Sequence, residues 1–132
     1  MVLEEKNKEL IKSFIDEVFD KRNLAATGKY LAANLTDGAG KTRELFKKSL
    51  ATLFSGFPDL HVSIEHMLAE NDFLNFTGMH KGQFEGMPTT NRSVKIRSAD
   101  LYRIENGKIV EHWDVVDRLD LLKQTGEITF NY

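Results

Sequence analysis

Residues 104–117, with the sequence IENGKIVEHWDVVD, place an imidazole and two carboxylates beside the only tryptophan of the chain. These residues are His112, Asp114, Asp117 and Trp113. A strand in this position is expected to bury apolar side chains, and a buried carboxylate without a partner is costly. Such a carboxylate is either paired with a cation or used as an acid or base, because removal from water favours its protonated form. The stretch therefore predicts either a local ion pair or a site of proton transfer.

Asp114 is the first candidate for a general acid or base in this stretch. The competing interpretation pairs its carboxylate with an arginine such as Arg97 or Arg103. His112 likewise has two possible roles, that of a proton shuttle and that of a hydrogen-bonded packing residue. His80 is predicted either to polarise a carbonyl group or to pack in the same way. At this stage the residues alone leave each pair of alternatives open.

Other kinds of site have little support in the sequence. Four histidines without a His-x-His pair or an HExxH motif, together with no cysteine, contain no recognisable metal-ligand set. The stretch TDGAGKT at 36–42 lacks both the preceding strand and the full spacing of a P-loop. The 18 basic and 20 acidic residues are spread along the chain and leave a net charge of -2. We therefore expect no metal and no nucleic-acid partner.

The elements that must position these residues follow from the apolar periodicity. A period near four predicts an amphipathic helix at 4–21, a weaker helical stretch at 24–35 and a third helix at 42–54. From residue 60 the period changes to two, which is typical of strands. The predicted strands are 60–65, 73–80, 94–104 and 109–116. Helices packed on one side of a curved antiparallel sheet make an α+β fold, and 132 residues suit a single domain.

The compartment is inferred from the amino terminus and from the absence of cysteine. The first ten residues, MVLEEKNKEL, are charged from the fourth residue and contain no secretory apolar segment. No later stretch is apolar for long enough to span a membrane, and a chain without cysteine agrees with a reducing compartment. We expect a cytoplasmic protein with no membrane partner.

The register of the last two strands decides which side chains share a face. Asn106-Gly107 is the preferred centre of a two-residue type I′ hairpin turn. An uninterrupted register counted back from this turn pairs Asp100 with Trp113. It therefore places Asp100 and Asp114 on opposite faces of the sheet.

Several motifs along nearly the whole chain resemble the SnoaL-like polyketide cyclase family of the NTF2-like superfamily. The motifs are FPDL (57–60), GMHKG (78–82), FEGMPTTN (84–91), DLYRIENGKIVEHWDVVD (100–117) and LLKQTG (121–126). The resemblance implies a cone-shaped α+β barrel around a deep apolar pocket, with three amino-terminal helices on the curved sheet and often a dimer formed through that sheet. It also implies closure of a polyketide ring by intramolecular aldol condensation without a cofactor.

The resemblance also implies roles for particular residues. The catalytic acid/base of the family falls on Asp114, Asp100 replaces a pocket histidine, and His80 lies in the motif G-x-H-x-G. Because the uninterrupted register separates the two carboxylates, we predict a β-bulge between residues 97 and 115. This bulge would bring the carboxylates within about 4 to 7 Å of each other. The expected pocket lining also includes His112, Trp113, Tyr102, Phe46, Phe76, Phe84 and Met87. The last two come from a loop at 82–91 that is either a lid or a plain surface connection.

We expect a cofactor-free acid/base enzyme that acts on a small apolar carbonyl compound. The alternatives are a related isomerase or hydrolase, a non-catalytic binder of an apolar ligand, and an interaction domain. An open pocket with Asp114 unpaired favours the enzyme, an ion-paired Asp114 favours the binder, and a pocket filled by its own aromatic rings favours the interaction domain. A homodimer is expected because Leu101, Val110 and Val116 would otherwise form an exposed apolar sheet face.

Overall fold

The computed structural model describes residues 2–38, 40, 42–84 and 92–124, and for residues 82–84 and 92 it describes the backbone alone. In the described ranges, three helices and one strand precede a run of four strands, and a fourth helix follows that run. The helices are α1 (Leu3–Phe14, continued by a π-helical turn at Ile15–Asp20), α2 (Thr27–Tyr30, after a 3-10 turn at Leu24–Ala26), α3 (Arg43–Gly56) and α4 (Arg118–Gln124). The strands are β1 (Leu31–Asp37), β2 (His61–Glu70), β3 (Phe73–Phe84), β4 (Arg92–Glu105) and β5 (Lys108–Val116). None of these helices is long and apolar enough to cross a membrane.

The five strands form one curved sheet in the order β1-β5-β4-β3-β2. Neighbouring strands from β2 to β5 are antiparallel, whereas β1 runs parallel to β5. In the described part of the chain β1 and β2 are not paired with each other, so the curved sheet is open. The predicted α+β class is confirmed.

The predicted helix at 24–35 is wrong in its second half, because residues 31–37 form β1. Leu31 and Leu35 are buried, and β1 pairs with β5 from Leu31 opposite Ile109 to Asp37 opposite His112. Local propensity is a weak preference that tertiary context overrides. Here the free edge of β5 provides backbone hydrogen bonds that a lone helical turn could not replace.

The helix predicted at 4–21 is confirmed, and the burial of its side chains follows the predicted pattern. Ile11 and Phe14 are buried, whereas Glu5, Glu9 and Lys12 between them and before them are exposed. The π-helical turn at its carboxyl end adds one residue to the turn and directs Phe19 towards the concave side of the sheet. Phe14 and Phe19 meet edge to face, with ring centroids 5.5 Å apart. The end of the first helix therefore forms part of the wall of the cavity described below.

Helix α4 covers a strand edge. β4 extends beyond the end of β5, and the backbone N–H of Asp117 donates to the carbonyl of Arg97 at 3.1 Å. The side chain of Gln124 then accepts from the backbone N–H of Lys95 at 2.8 Å and donates to its carbonyl at 2.7 Å. The amide group of Gln124 therefore takes the place of a neighbouring strand.

Candidate active site

The hairpin between β4 and β5 contains the predicted bulge. Asn106 and Gly107 both have positive φ angles, 51° and 74°, as a type I′ turn requires. The register shifts within the first few residues of β5, and Val110 is left without a partner. The pairs on either side of it are Ile104 with Ile109 and Arg103 with Glu111. The bulge is confirmed, and the uninterrupted register is wrong beyond Ile109.

The bulge places both carboxylates on the concave face of the sheet. Asp100 pairs directly with Asp114, and Tyr102 pairs with His112. One oxygen of each carboxylate and one ring nitrogen of His112 all lie within 4.8 Å of one another. Trp113 pairs instead with Leu101, on the other face. The hairpin therefore assembles a cluster of two carboxylates and one imidazole, which we call the polar cluster.

Within the polar cluster, His112 is held from three sides. Its Nε2 lies 2.8 Å from Oδ2 of Asp100, and the two side chains are only 8% and 12% exposed. Tyr102 stacks on the imidazole at 4.8 Å between ring centroids, and Phe46 meets it edge to face at 5.3 Å. The other Asp100 oxygen, Oδ1, is buried and accepts no hydrogen bond from the described residues. The imidazole is therefore fixed, and one carboxylate oxygen remains unused.

Tyr102 completes this network as a neutral group. Its hydroxyl lies 3.5 Å from Oδ2 of Asp100. Burial raises the pKa of Tyr102 well above its usual value, and the nearby charges of Asp100 and Asp114 add to the effect. The hydroxyl therefore stays protonated and can only donate to the carboxylate.

Asp114 differs from Asp100 in having no partner. No hydrogen bond or ion pair from the described residues reaches its carboxylate, which is exposed on the cavity side. The alternative that pairs it with an arginine is wrong for both arginines considered. Arg97 binds Glu65 at 2.8 Å, and Arg103 binds Glu111 at 3.0 Å. Asp114 is therefore free to accept a proton from a bound molecule.

His80 lies beside the polar cluster on β3. Burial lowers the pKa of His80, and the charges of Asp100 and Asp114 oppose this only in part. The imidazole is therefore neutral at neutral pH. Its Nδ1 lies 3.5 Å from Oγ of Ser98, a buried residue that sequence reasoning missed. Alternation along β4 could have indicated Ser98, since it shares a face with Asp100.

A cavity of about 810 Å³ opens above these polar groups, between the concave face of the sheet and the helices. Such a volume is typical of sites for small organic molecules. Its remaining walls are largely apolar. The apolar lining consists of Phe19, Phe46, Leu50, Leu53, Phe57, Leu60, Ile96, Val116, Leu121 and Leu122. The cavity is thus open and mostly apolar, with its polar groups concentrated on the sheet.

The predicted pocket residues fall into three groups. Those that line the cavity together with Asp114, Asp100 and His80 are His112, Tyr102, Phe46 and Trp113. Phe76 is wrong as a pocket residue, because it is 1% exposed in the core and its ring covers the space beside Gly78. Met87, the side chain of Phe84 and the lid predicted at 82–91 lie outside the described residues.

Trp113 lines the cavity from a partly exposed position. It is 40% exposed, and a Cβ atom added to Gly38 would lie 2.7 Å from its Cδ1. The indole therefore rests directly on Gly38.

The polar cluster is also the group of described side chains that could hold a divalent cation. Its three donor atoms come from Asp100, His112 and Asp114. The sequence contains no His-x-His pair here, but the spacing His112-x-Asp114 places two donor side chains on one face of a strand. Because Nε2 of His112 is already bound to Asp100, a hydrogen-bonded pair accounts for the contact without a cation. The absence of a metal stays a prediction.

Comparisons with known proteins identify relatives over almost the whole chain. Residues 9–125 match the family described as SnoaL-like polyketide cyclase. A candidate polyketide cyclase from Acidithiobacillus ferrooxidans is 25% identical, with a TM-score of 0.82 and coverage of 98% of this chain and 100% of that one. AclR, a candidate hydroxylase from Streptomyces galilaeus, is 20% identical, with a TM-score of 0.85 and coverage of 98% and 86%. TsrD from Streptomyces laurentii is 18% identical, with a TM-score of 0.87 and coverage of 97% and 100%. No curated protein matches significantly.

Proposed function

Because the chain belongs to the SnoaL-like polyketide cyclase family, we propose that it is a cyclase-type enzyme that closes a ring by acid/base catalysis without a cofactor. Its substrate is a small apolar carbonyl compound. One observation carries the proposal. The carboxylate of Asp114 accepts no hydrogen bond or ion pair from the described residues, and it faces an open, mostly apolar cavity.

Asp114 acts as the base in this proposal. It removes a proton from a carbon next to a ketone, and the resulting enolate carbon attacks a second carbonyl carbon of the same molecule. Asp114 is exposed in the free protein. An apolar substrate in the cavity excludes water from this carboxylate, and a desolvated carboxylate is a stronger base. The substrate itself therefore completes the environment that the base needs.

The developing oxygen anion has a hydrogen-bond donor close to the base. His80 is neutral because of its burial, so one of its ring nitrogens carries a proton that it can donate. Asp100 does not compete for His80, because its Oδ2 is held by His112 and Tyr102. The cavity walls contribute by folding a flexible chain so that its reacting carbons meet.

The test replaces Asp114 with asparagine, which keeps the shape and removes the base. The probe is 1-tetralone, an apolar bicyclic ketone, and the measurement is deuterium exchange beside its carbonyl followed by NMR in D₂O. We expect Asp114→Asn to slow the enzyme-catalysed exchange by about 10²- to 10⁴-fold, the usual size of general-base catalysis. Asp16→Asn is the matched control, because Asp16 is an exposed carboxylate paired with Lys21 outside the cavity. Equal exchange rates for Asp114→Asn and the wild type would contradict the proposal.

The outer face of the sheet supports a second element of the proposal, a homodimer. The expected apolar face was partly wrong, because Val110 at the bulge is buried and Val116 lines the cavity. The large apolar side chains that are exposed on this face include Val115 at 73%, Leu68 at 72% and Phe73 at 41%. A contact through this face would remove these apolar side chains from water. We propose that a second copy of the chain covers it.

A further inference from the structure

Arg118 is the one arginine with a described side chain that has no partner among the described residues. The other four each contact a carboxylate or a backbone carbonyl. Those pairs are Arg22 with Leu60, Arg43 with Glu44, Arg97 with Glu65, and Arg103 with Glu111. Arg118 is exposed, yet it lines the cavity. It therefore offers an unused guanidinium to whatever the cavity binds.

The position of Arg118 along the chain separates it from the base. Besides Trp113, the cavity-lining positions of β5 are the alternating residues His112, Asp114 and Val116. Arg118 follows two residues after the end of β5, at the start of α4. Four chain steps separate the Cα atoms of Asp114 and Arg118, so these atoms are at most about 14 Å apart. Val116 is the cavity-lining residue between them. The cavity thus has a carboxylate base, an intervening apolar section and a cation.

We propose that Arg118 binds a carboxylate of the substrate, so that the substrate class is an apolar carbonyl compound with a free acid group. This rests on the proposed function. A guanidinium matches the geometry of a carboxylate with two parallel hydrogen bonds. Asp100 and Asp114 repel an anionic group from their end of the cavity, whereas Arg118 attracts it. Attraction and repulsion together orient the molecule, with its reacting carbon towards Asp114. A neutral ester lacks this orientation.

The test compares an acid with its ester. The probes are 6-carboxy-1-tetralone and its methyl ester, and the measurement is their dissociation constants by isothermal titration calorimetry. We expect the wild type to bind the acid at least about tenfold more tightly than the ester, the effect of one charged hydrogen-bonded contact. Arg118→Gln should remove the preference, and Arg118→Lys should retain part of it. Arg43→Gln, which removes an arginine outside the cavity lining, should leave the preference unchanged.

Two results would overturn the assignment. One is equal affinity of the wild type for the acid and the ester. The other is an Arg118→Gln variant that is folded, as shown by its circular dichroism spectrum, and that binds the acid and the ester more weakly by the same factor. Such a result would indicate a packing role for Arg118. The exchange assay with Asp114→Asn uses a neutral ketone and reports on the base, whereas the ratio of acid to ester affinity reports on the cation. The two proposals can therefore fail independently.

Discussion

The contact between Asp100 and His112 should be a measurable source of stability, and a double-mutant cycle isolates it. Nε2 and Oδ2 are 2.8 Å apart and both side chains are almost fully buried. A hydrogen bond to a charged group contributes about 1.5 to 3 kcal/mol. Breaking a fully buried ion pair costs about 3 to 5 kcal/mol. Asp100 keeps 12% exposure and can recruit water, so we expect the lower range, about 2 kcal/mol of coupling free energy.

The variants are His112→Phe, Asp100→Asn and the double variant. Phenylalanine keeps an aromatic ring between Tyr102 and Phe46 but removes the nitrogen, so the packing is conserved while the hydrogen bond is lost. The assay is urea unfolding at neutral pH, which measures the free energy of unfolding of each variant. If the two single effects add to the double effect within about 0.5 kcal/mol, the residues are uncoupled and our account of the polar cluster is refuted.

Three further predictions test other parts of the molecule. The lowered pKa of His80 means that the unfolded chain binds more protons than the folded chain as the pH falls below the usual 6.5. Stability should therefore decrease with falling pH from about 6.5 downwards, and urea unfolding of His80→Gln should show a smaller decrease; equal slopes would contradict this. Gly38→Ala should displace the indole of Trp113 and shift its fluorescence maximum, whereas Gly28→Ala, where an added Cβ meets nothing within 4 Å, should not; an unchanged spectrum for Gly38→Ala would be the contrary result. Sedimentation should show a dimer that Val115→Lys dissociates, and a wild-type particle of 15.1 kDa would exclude the dimer.

The parts of the fold that depend on local pattern were predictable from the sequence. The helix at 4–21 was predictable because its charged and apolar residues alternate with the period of a helix. The segment at 31–37 was not, because its conformation is decided by β5, more than 70 residues later in the chain. Leu31, Ala32 and Leu35 fit a helix as well as a strand, so no local signal distinguishes them.

The site was predictable in its chemistry and less so in its geometry. The bulge was inferred because the turn register and the family resemblance disagreed about Asp100 and Asp114. Its position at Val110 was not predictable, since only the burial of side chains on both faces decides which residue is left unpaired. Phe76 was placed on the correct face, but the space left by Gly78 allows its ring to remain in the core. Arg118 gave no signal, because nothing local distinguishes a cavity arginine from a solvated one.

The contact between Gln124 and Lys95 has a consequence for engineering the substrate range. An uncovered strand edge is a template for another chain, and β4 presents Val94 and Ile96 next to the edge that Gln124 covers. The same short helix supplies Leu121 and Leu122 to the cavity wall. A variant that shifts α4 to admit larger molecules would also uncover this edge. Broader specificity obtained through α4 therefore carries a risk of aggregation, and enlarging the cavity from the side of α3 avoids that risk.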